Sequence, residues 1–208
     1  MELPFLLRGL IIGFSIAAPV GPIGVLCIRR TLADGWAAGF VSGLGAATAD
    51  TFYGCIAAFG LTFVTSFLVN QQMWLRLVGG VFLCYLGART FLSRPAERAA
   101  AAGGSGLLRA YASTFVLTLT NPMTILSFAA VFAGLGIGSA GGDYASAALL
   151  VLGVFGGSAL WWLLLSSGTS LLRTQIDPPK LVWTNRISGI IIGVFGVAAV
   201  VSMLPLSP

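Results

Sequence analysis

Two prolines three residues apart, in the stretch Ala18-Pro19-Val20-Gly21-Pro22-Ile23-Gly24, constrain this chain more than any other feature. Each proline lacks a backbone N–H and clashes with the preceding turn, so no helix passes through the stretch unbroken. Yet the surroundings, Leu3 to Ile28, are too apolar for a water-exposed loop. Unpaired backbone groups are costly in lipid, so a break at this place must face protein or a water-filled cavity. A second break, Leu119-Thr120-Asn121-Pro122-Met123, follows about one hundred residues later. There Asn121 can cap a new helical segment and Pro122 can take its first position.

That lipid is the solvent follows from composition: 57% of residues are hydrophobic, 8% are charged, and the mean hydropathy is +0.98. Apolar runs of about 20 residues match a hydrocarbon core about 30 Å thick. The alternating segments of a transmembrane β-barrel are absent. The expected class is an all-α membrane protein. There is no histidine, and Cys27, Cys55 and Cys84 form no Cys-x-x-Cys pair. That argues against a metal site, a histidine base or a thiol–disulfide carrier. No cofactor is expected, and the cysteines read as small buried hydrophobes. The net charge of +5 is no nucleic-acid signature; its placement follows the membrane instead. The first apolar run starts after Glu2 without a basic segment before it, so it is expected to remain as the first span.

Six spans are expected, near Leu3–Ile28, Ala37–Val69, Met73–Leu92, Leu107–Ile137, Tyr144–Leu172 and Trp183–Leu204. Residues 93–106, with a charged start, an alanine run and a Gly/Ser end, read as a mobile linker. Asp177-Pro178-Pro179-Lys180 reads as a rigid turn. The loops after spans one, three and five, with adjacent span ends, hold nine bases: Arg29, Arg30, Arg89, Arg94, Arg98, Arg109, Arg173, Lys180 and Arg186. The opposite side holds two, Arg8 and Arg76. The positive-inside rule then places those loops and the linker in the cytoplasm and both termini outside. Glycines spaced by four (Gly9/Gly13, Gly35/Gly39/Gly43, Gly153/Gly157, Gly189/Gly193) mark faces for close helix packing. Packing within one bundle is the favoured use; a homodimer is the other.

The two halves correspond. Gly21-Pro22 answers Asn121-Pro122, Asp50 answers Ser158, and Gly80 and Gly87 answer Gly189 and Gly196, at offsets of 100, 108 and 109. Units of three spans must lie in opposite orientations, so 1–92 and 107–208 read as two inverted three-helix repeats, broken in helices 1 and 4 at Gly-Pro and Asn-Pro. Inverted repeats with broken helices in corresponding places point to a secondary transporter.

The proline element of the first span, the acid of the second, the Asn-Pro of the fourth and the glycine-rich third and sixth spans resemble the lysine exporter family, which includes homoserine and threonine exporters. The resemblance covers essentially the whole chain. It implies export of amino acids or related small metabolites, driven by an ion gradient, across a bacterial inner membrane.

Asp50 is the one acid deep inside a predicted span. A charged carboxylate there is expensive, so it must be protonated, paired or facing water. Such a group can alternate between a proton and a substrate ammonium, which is the chemistry of a proton antiporter. The alternative is a structural acid bonded to Thr48 or Thr51. Helical segments restarting at Pro22 and Pro122 would offer free N–H groups and a positive dipole end to a carboxylate, with Gly21, Thr120 and Asn121 beside them. The two breaks would then face each other across the substrate path, and mechanical kinking is their other reading. Tyr53, Ser158, Trp161 and Trp162 would line the side-chain pocket, though the tryptophans equally suit packing. The absence of a second buried acid favours a neutral amino acid over a cationic one. An acidic substrate would want an intramembrane base, and the arginines all fall near predicted span ends. Competing readings are an exporter of a metal ion or other small solute, for which a lone acid is a poor cage, and a non-transporting assembly subunit. No constellation of an enzyme is present.

Overall fold

The structure is a computed structural model, and it describes residues 4–19, 21–58, 71–92, 104–121, 124–125, 127–128, 144–173 and 178–202. Within these residues the chain forms helices α1 (Phe5–Ala17), α2 (Pro22–Asp34), α3 (Trp36–Ala58), α4 (Gln72–Phe91), α5 (Gly104–Leu119), α6 (Tyr144–Arg173) and α7 (Pro178–Val201). Helical backbone resumes at 124–125 and 127–128. Described residues include no strand.

The proline break is real: α1 and α2 meet at 82° across it. Tyr144–Leu172 of α6 and Val182–Val201 of α7, with mean hydropathies of 2.1 and 1.7, are each long and apolar enough to cross a membrane, and the bent pair can count as a third crossing. The exterior is far more apolar than that of a water-soluble bundle. Leu152, Leu164 and Val194 lie on the outside while Ser42, Thr114 and Ser158 are fully enclosed. A broad outer surface of leucine and valine, with hydroxyls enclosed among an apolar core, suits hydrocarbon as the solvent.

Glycine sets the closest approaches. On the α1–α6 interface, a Cβ at Gly13 would fall 2.1 Å from the Val154 carbonyl oxygen, and one at Gly157 would fall 2.0 Å from that of Leu10. On the α4–α7 interface, Gly80 lies against Gly196 and Gly87 against Gly189. These glycines are used inside the bundle, where backbones touch without intervening side chains. In both the α4–α7 and the α3–α6 pairs the partners run in opposite directions; Trp36, Gly43 and Asp50 meet Ser167, Trp162 and Ser158 in turn. Two apolar clusters result. One gathers Leu26, Cys27, Ala46, Leu117, Trp162 and Ile192; the other gathers Ile12, Tyr53, Ile56, Phe128, Leu150 and Val154.

Three expectations need correction. The first span does not give way to a loop at Ile28: α2 continues to Asp34, and Arg29 and Arg30 lie on it, buried. It ends at Gly35, whose φ of 104° is a conformation that other residues rarely adopt. Pro178 opens α7 rather than making a turn, because a proline in the first helical turn gives up no intrahelical bond. Residues 104–106, expected in the linker, belong to α5. The rest of that linker, and the expected ends of spans two and four beyond residues 58 and 128, lie outside the described residues.

Candidate functional site

Asp50 sits in the second half of α3, 3% exposed. The Ser158 hydroxyl on α6 donates to its Oδ2 at 2.7 Å, and the Trp162 indole N–H donates to the Ser158 oxygen at 3.2 Å. Indole, hydroxyl and carboxyl therefore form a short chain in which every donor points toward the acid. Thr48 and Thr51, the partners in the alternative reading of Asp50 as a structural acid, instead donate to the carbonyls of Leu44 and Ala47 one turn back on their own helix. Tyr111 spends its hydroxyl on Thr48. Asp50 forms no ion pair among the described residues. It has one neutral donor, from the residue that answers it in the other half of the sequence.

Each break is approached by an aromatic residue three positions from this pair. Tyr53 follows Asp50 on α3, and its hydroxyl donates to the carbonyl of Leu119, the last residue of α5. That satisfies one of the carbonyls a helix end leaves without a partner. Trp161 follows Ser158 on α6, and the edge of one ring meets the face of the other between it and Phe14 of α1, with centroids 5.5 Å apart. Trp161 packs on the arm leading to the first break, while Trp162 beside it on α6 turns to Ser158.

At the second break, the Asn121 carbonyl accepts from the N–H groups of Thr124 and Ile125 at 3.1 and 3.3 Å, so the helix restarts from Asn121 as its cap. The Thr120 hydroxyl bonds back to the Val116 carbonyl at 2.9 Å. Pro122 lies outside the described residues. At the first break, Pro22 takes the first helical position and Gly21 the cap, its carbonyl accepting from Val25 at 3.0 Å. Among the described residues, a side chain built at Gly21 would meet nothing within 4 Å. Among the described residues neither Gly21 nor Pro22 is hydrogen-bonded to Asp50.

A second polar cluster, outside the expected site, surrounds Arg30. Arg30 donates from Nη1 to the Ser42 hydroxyl (2.8 Å), the Ala110 carbonyl (2.9 Å) and the Thr114 hydroxyl (2.9 Å), and from Nη2 to the Ser113 hydroxyl (2.8 Å). It ties α2 to α3 and α5 through neutral acceptors. Arg29 points to α7, donating from Nε to Asn185 Oδ1 at 2.9 Å. Its signal in the sequence is the adjacent hydroxyl pair Ser113-Thr114 on α5.

A family model described as "LysE type translocator" matches residues 14–203. A protein of Bacillus subtilis (strain 168) named "Putative amino acid efflux protein YcgF" is 28% identical over 192 residues, covering 90% of each chain. No solved structure matches.

Proposed function

Since the chain belongs to the LysE type translocator family, and is thus a membrane transporter rather than an enzyme, we propose that it exports amino acids with Asp50 as the coupling group. The name of the Bacillus relative supports amino acids as the substrate class. The observation that carries the mechanism is the enclosed Asp50 carboxyl with one neutral donor, Ser158. A carboxylate so placed is stable only when a proton or a substrate ammonium neutralises it. Binding of one releases the other, which is proton antiport. Carriage of the substrate carboxylate falls to the helix restarts at Gly21-Pro22 and Asn121-Pro122, with Thr120 beside the second. Tyr53 and Trp161 brace the arms that lead into those restarts.

Two inverted three-helix repeats organise this mechanism. Exchanging the halves at the offset of 108 carries Asp50 onto Ser158, so their hydrogen bond maps onto itself. The Gly80–Gly196 contact likewise maps onto Gly189–Gly87 at the offset of 109. The bonded pair would then lie on the pseudo-two-fold axis, where alternating access leaves it reachable from either side. Bacterial inner membrane, with the arginine-rich end in the cytoplasm and both termini outside, is the setting this reading gives.

A neutral substrate fits one acid and one ammonium. Arg29 and Arg30 are buried within α2, and the preference for a neutral over a cationic substrate rests on Asp50 having no second buried acid beside it among the described residues. The test is counterflow of the standard L-amino acids in proteoliposomes of the full-length protein. A neutral amino acid is expected to exchange and to move against its gradient when a pH step is applied. Transport of none of them would refute amino acid export, and exchange without any response to pH would refute proton coupling.

A further inference from the structure

Arg29 is buried with part of its guanidinium unbonded. It is 3% exposed, its Nε is bonded to Asn185, and its Nη2 has no hydrogen-bond partner. Its nearest carboxylate oxygen, Oδ2 of Asp34, is 3.9 Å from Nη1, beyond hydrogen-bonding reach. Arg30, the next residue, has four acceptors. Leaving a donor of a buried guanidinium unmet costs far more than omitting the interaction altogether, and such groups need an explanation beyond packing.

Charge identifies what would complete it. Among the described residues, Arg29, Arg30 and Arg89 share this end of the bundle with one acid, Asp34. Two donors in a planar fork match two oxygens of a carboxylate. Resting on the reading of the chain as an amino acid exporter, we propose that Arg29 is a carboxylate subsite at the arginine-rich end, where the substrate's carboxylate displaces Asp34. It is a station distinct from Asp50. Arg30 bonds Ser42, eight residues before Asp50 on α3, which is about 12 Å at about 1.5 Å per residue. The ammonium and carboxylate of one α-amino acid cannot span that distance, so the substrate meets the arginine end and the acid in succession.

The experiment uses the full-length protein in phosphatidylcholine proteoliposomes. Counterflow first identifies a carried L-amino acid; that amino acid and its carboxamide then compete for transport in wild type, Arg29→Gln, Arg29→Lys and Asp34→Asn. The acid is expected to out-compete the amide by about tenfold in wild type and by no more than about twofold in Arg29→Gln, with Arg29→Lys between them. Asp34→Asn, which removes the resident carboxylate, is expected to strengthen competition by the acid and leave the amide unchanged. Undiminished preference for the acid in Arg29→Gln overturns the subsite while leaving export intact. Should Arg29→Gln fail to insert, an unchanged response of Asp34→Asn to the acid overturns it equally. Failure of every amino acid in the first step removes the export reading itself. An Arg29 effect that appears only when anionic lipid is added assigns the fork to a headgroup and also overturns the proposal.

Discussion

Asp50 and Arg30 are both enclosed ionisable side chains of one bundle, and the protein holds them in opposite ways. Arg30 reaches four acceptors on two neighbouring helices, whereas Asp50 receives one hydrogen bond, from Ser158. Arginine cannot shed its charge in a protein, so a buried one needs its donors met by fixed acceptors. A carboxyl can take a proton and become neutral, and it tolerates sparse solvation for that reason. Saturation marks a part that stays put, and sparse bonding marks a part that exchanges its partner. Arg29, with one bond and an open Nη2, belongs with Asp50 by this criterion despite being an arginine.

The contrast predicts that stability and transport separate between the two sites. The largest stability effect is expected at Arg30. Arg30→Ala leaves a cavity and unties α2 from α3 and α5, and should lower stability by about 2–4 kcal/mol, read as a fall in the melting temperature of the detergent-solubilised protein. Unchanged melting would remove Arg30 from the structural side of the comparison. Ser158→Ala comes next. Without its donor, Asp50 loses the bond that favours its charged form, and net export should fall about tenfold with a stability cost of about 1–2 kcal/mol; an initial-rate assay normalised to folded protein checks it. Tyr53→Phe removes the hydroxyl from the Leu119 carbonyl at the lip of the second break, for about 1 kcal/mol and a smaller loss of rate. The smallest effect is expected at Arg29. Arg29→Gln without substrate should melt at or slightly above wild type, since an incompletely bonded charge is removed; a loss as large as that of Arg30→Ala would erase the distinction between the neighbours.

Much of this was readable from residue order. The expected span Met73–Leu92 differs from α4 by one residue at each end, and Tyr144–Leu172 differs from α6 by one residue at its C-terminal end, because apolar runs bounded by polar residues leave little choice. Pro19 and Pro22 placed the first break, and Asp50 stood out because lipid makes a lone acid conspicuous. Ser158 reads as its counterpart in the other half of the sequence, and the two are hydrogen-bonded. The burial of Arg29 and Arg30 was hidden for the same reason that Asp50 was visible. A double arginine ends an apolar run, and the hydroxyls that solvate Arg30 lie on other helices, at Ser42, Ser113 and Thr114. Choosing between Trp161 and Trp162 was also beyond the sequence. An almost uniformly apolar helix carries no periodic signal for which face turns inward; the structure turns the Ser158–Trp162 face, one helical turn apart, toward Asp50 and Gly43 of α3.

The central claim is that Asp50 exchanges a proton for a substrate. Asparagine keeps its size and can still accept the Ser158 hydroxyl, but cannot ionise. Wild type, Asp50→Asn and Asp50→Glu are reconstituted side by side, and a carried neutral amino acid is followed during a pH step. Asp50→Asn should stay within about 1 kcal/mol of wild-type stability while losing net transport against a gradient, with weak substrate exchange persisting and Asp50→Glu retaining partial activity. Undiminished pH-driven net transport by Asp50→Asn would contradict the account.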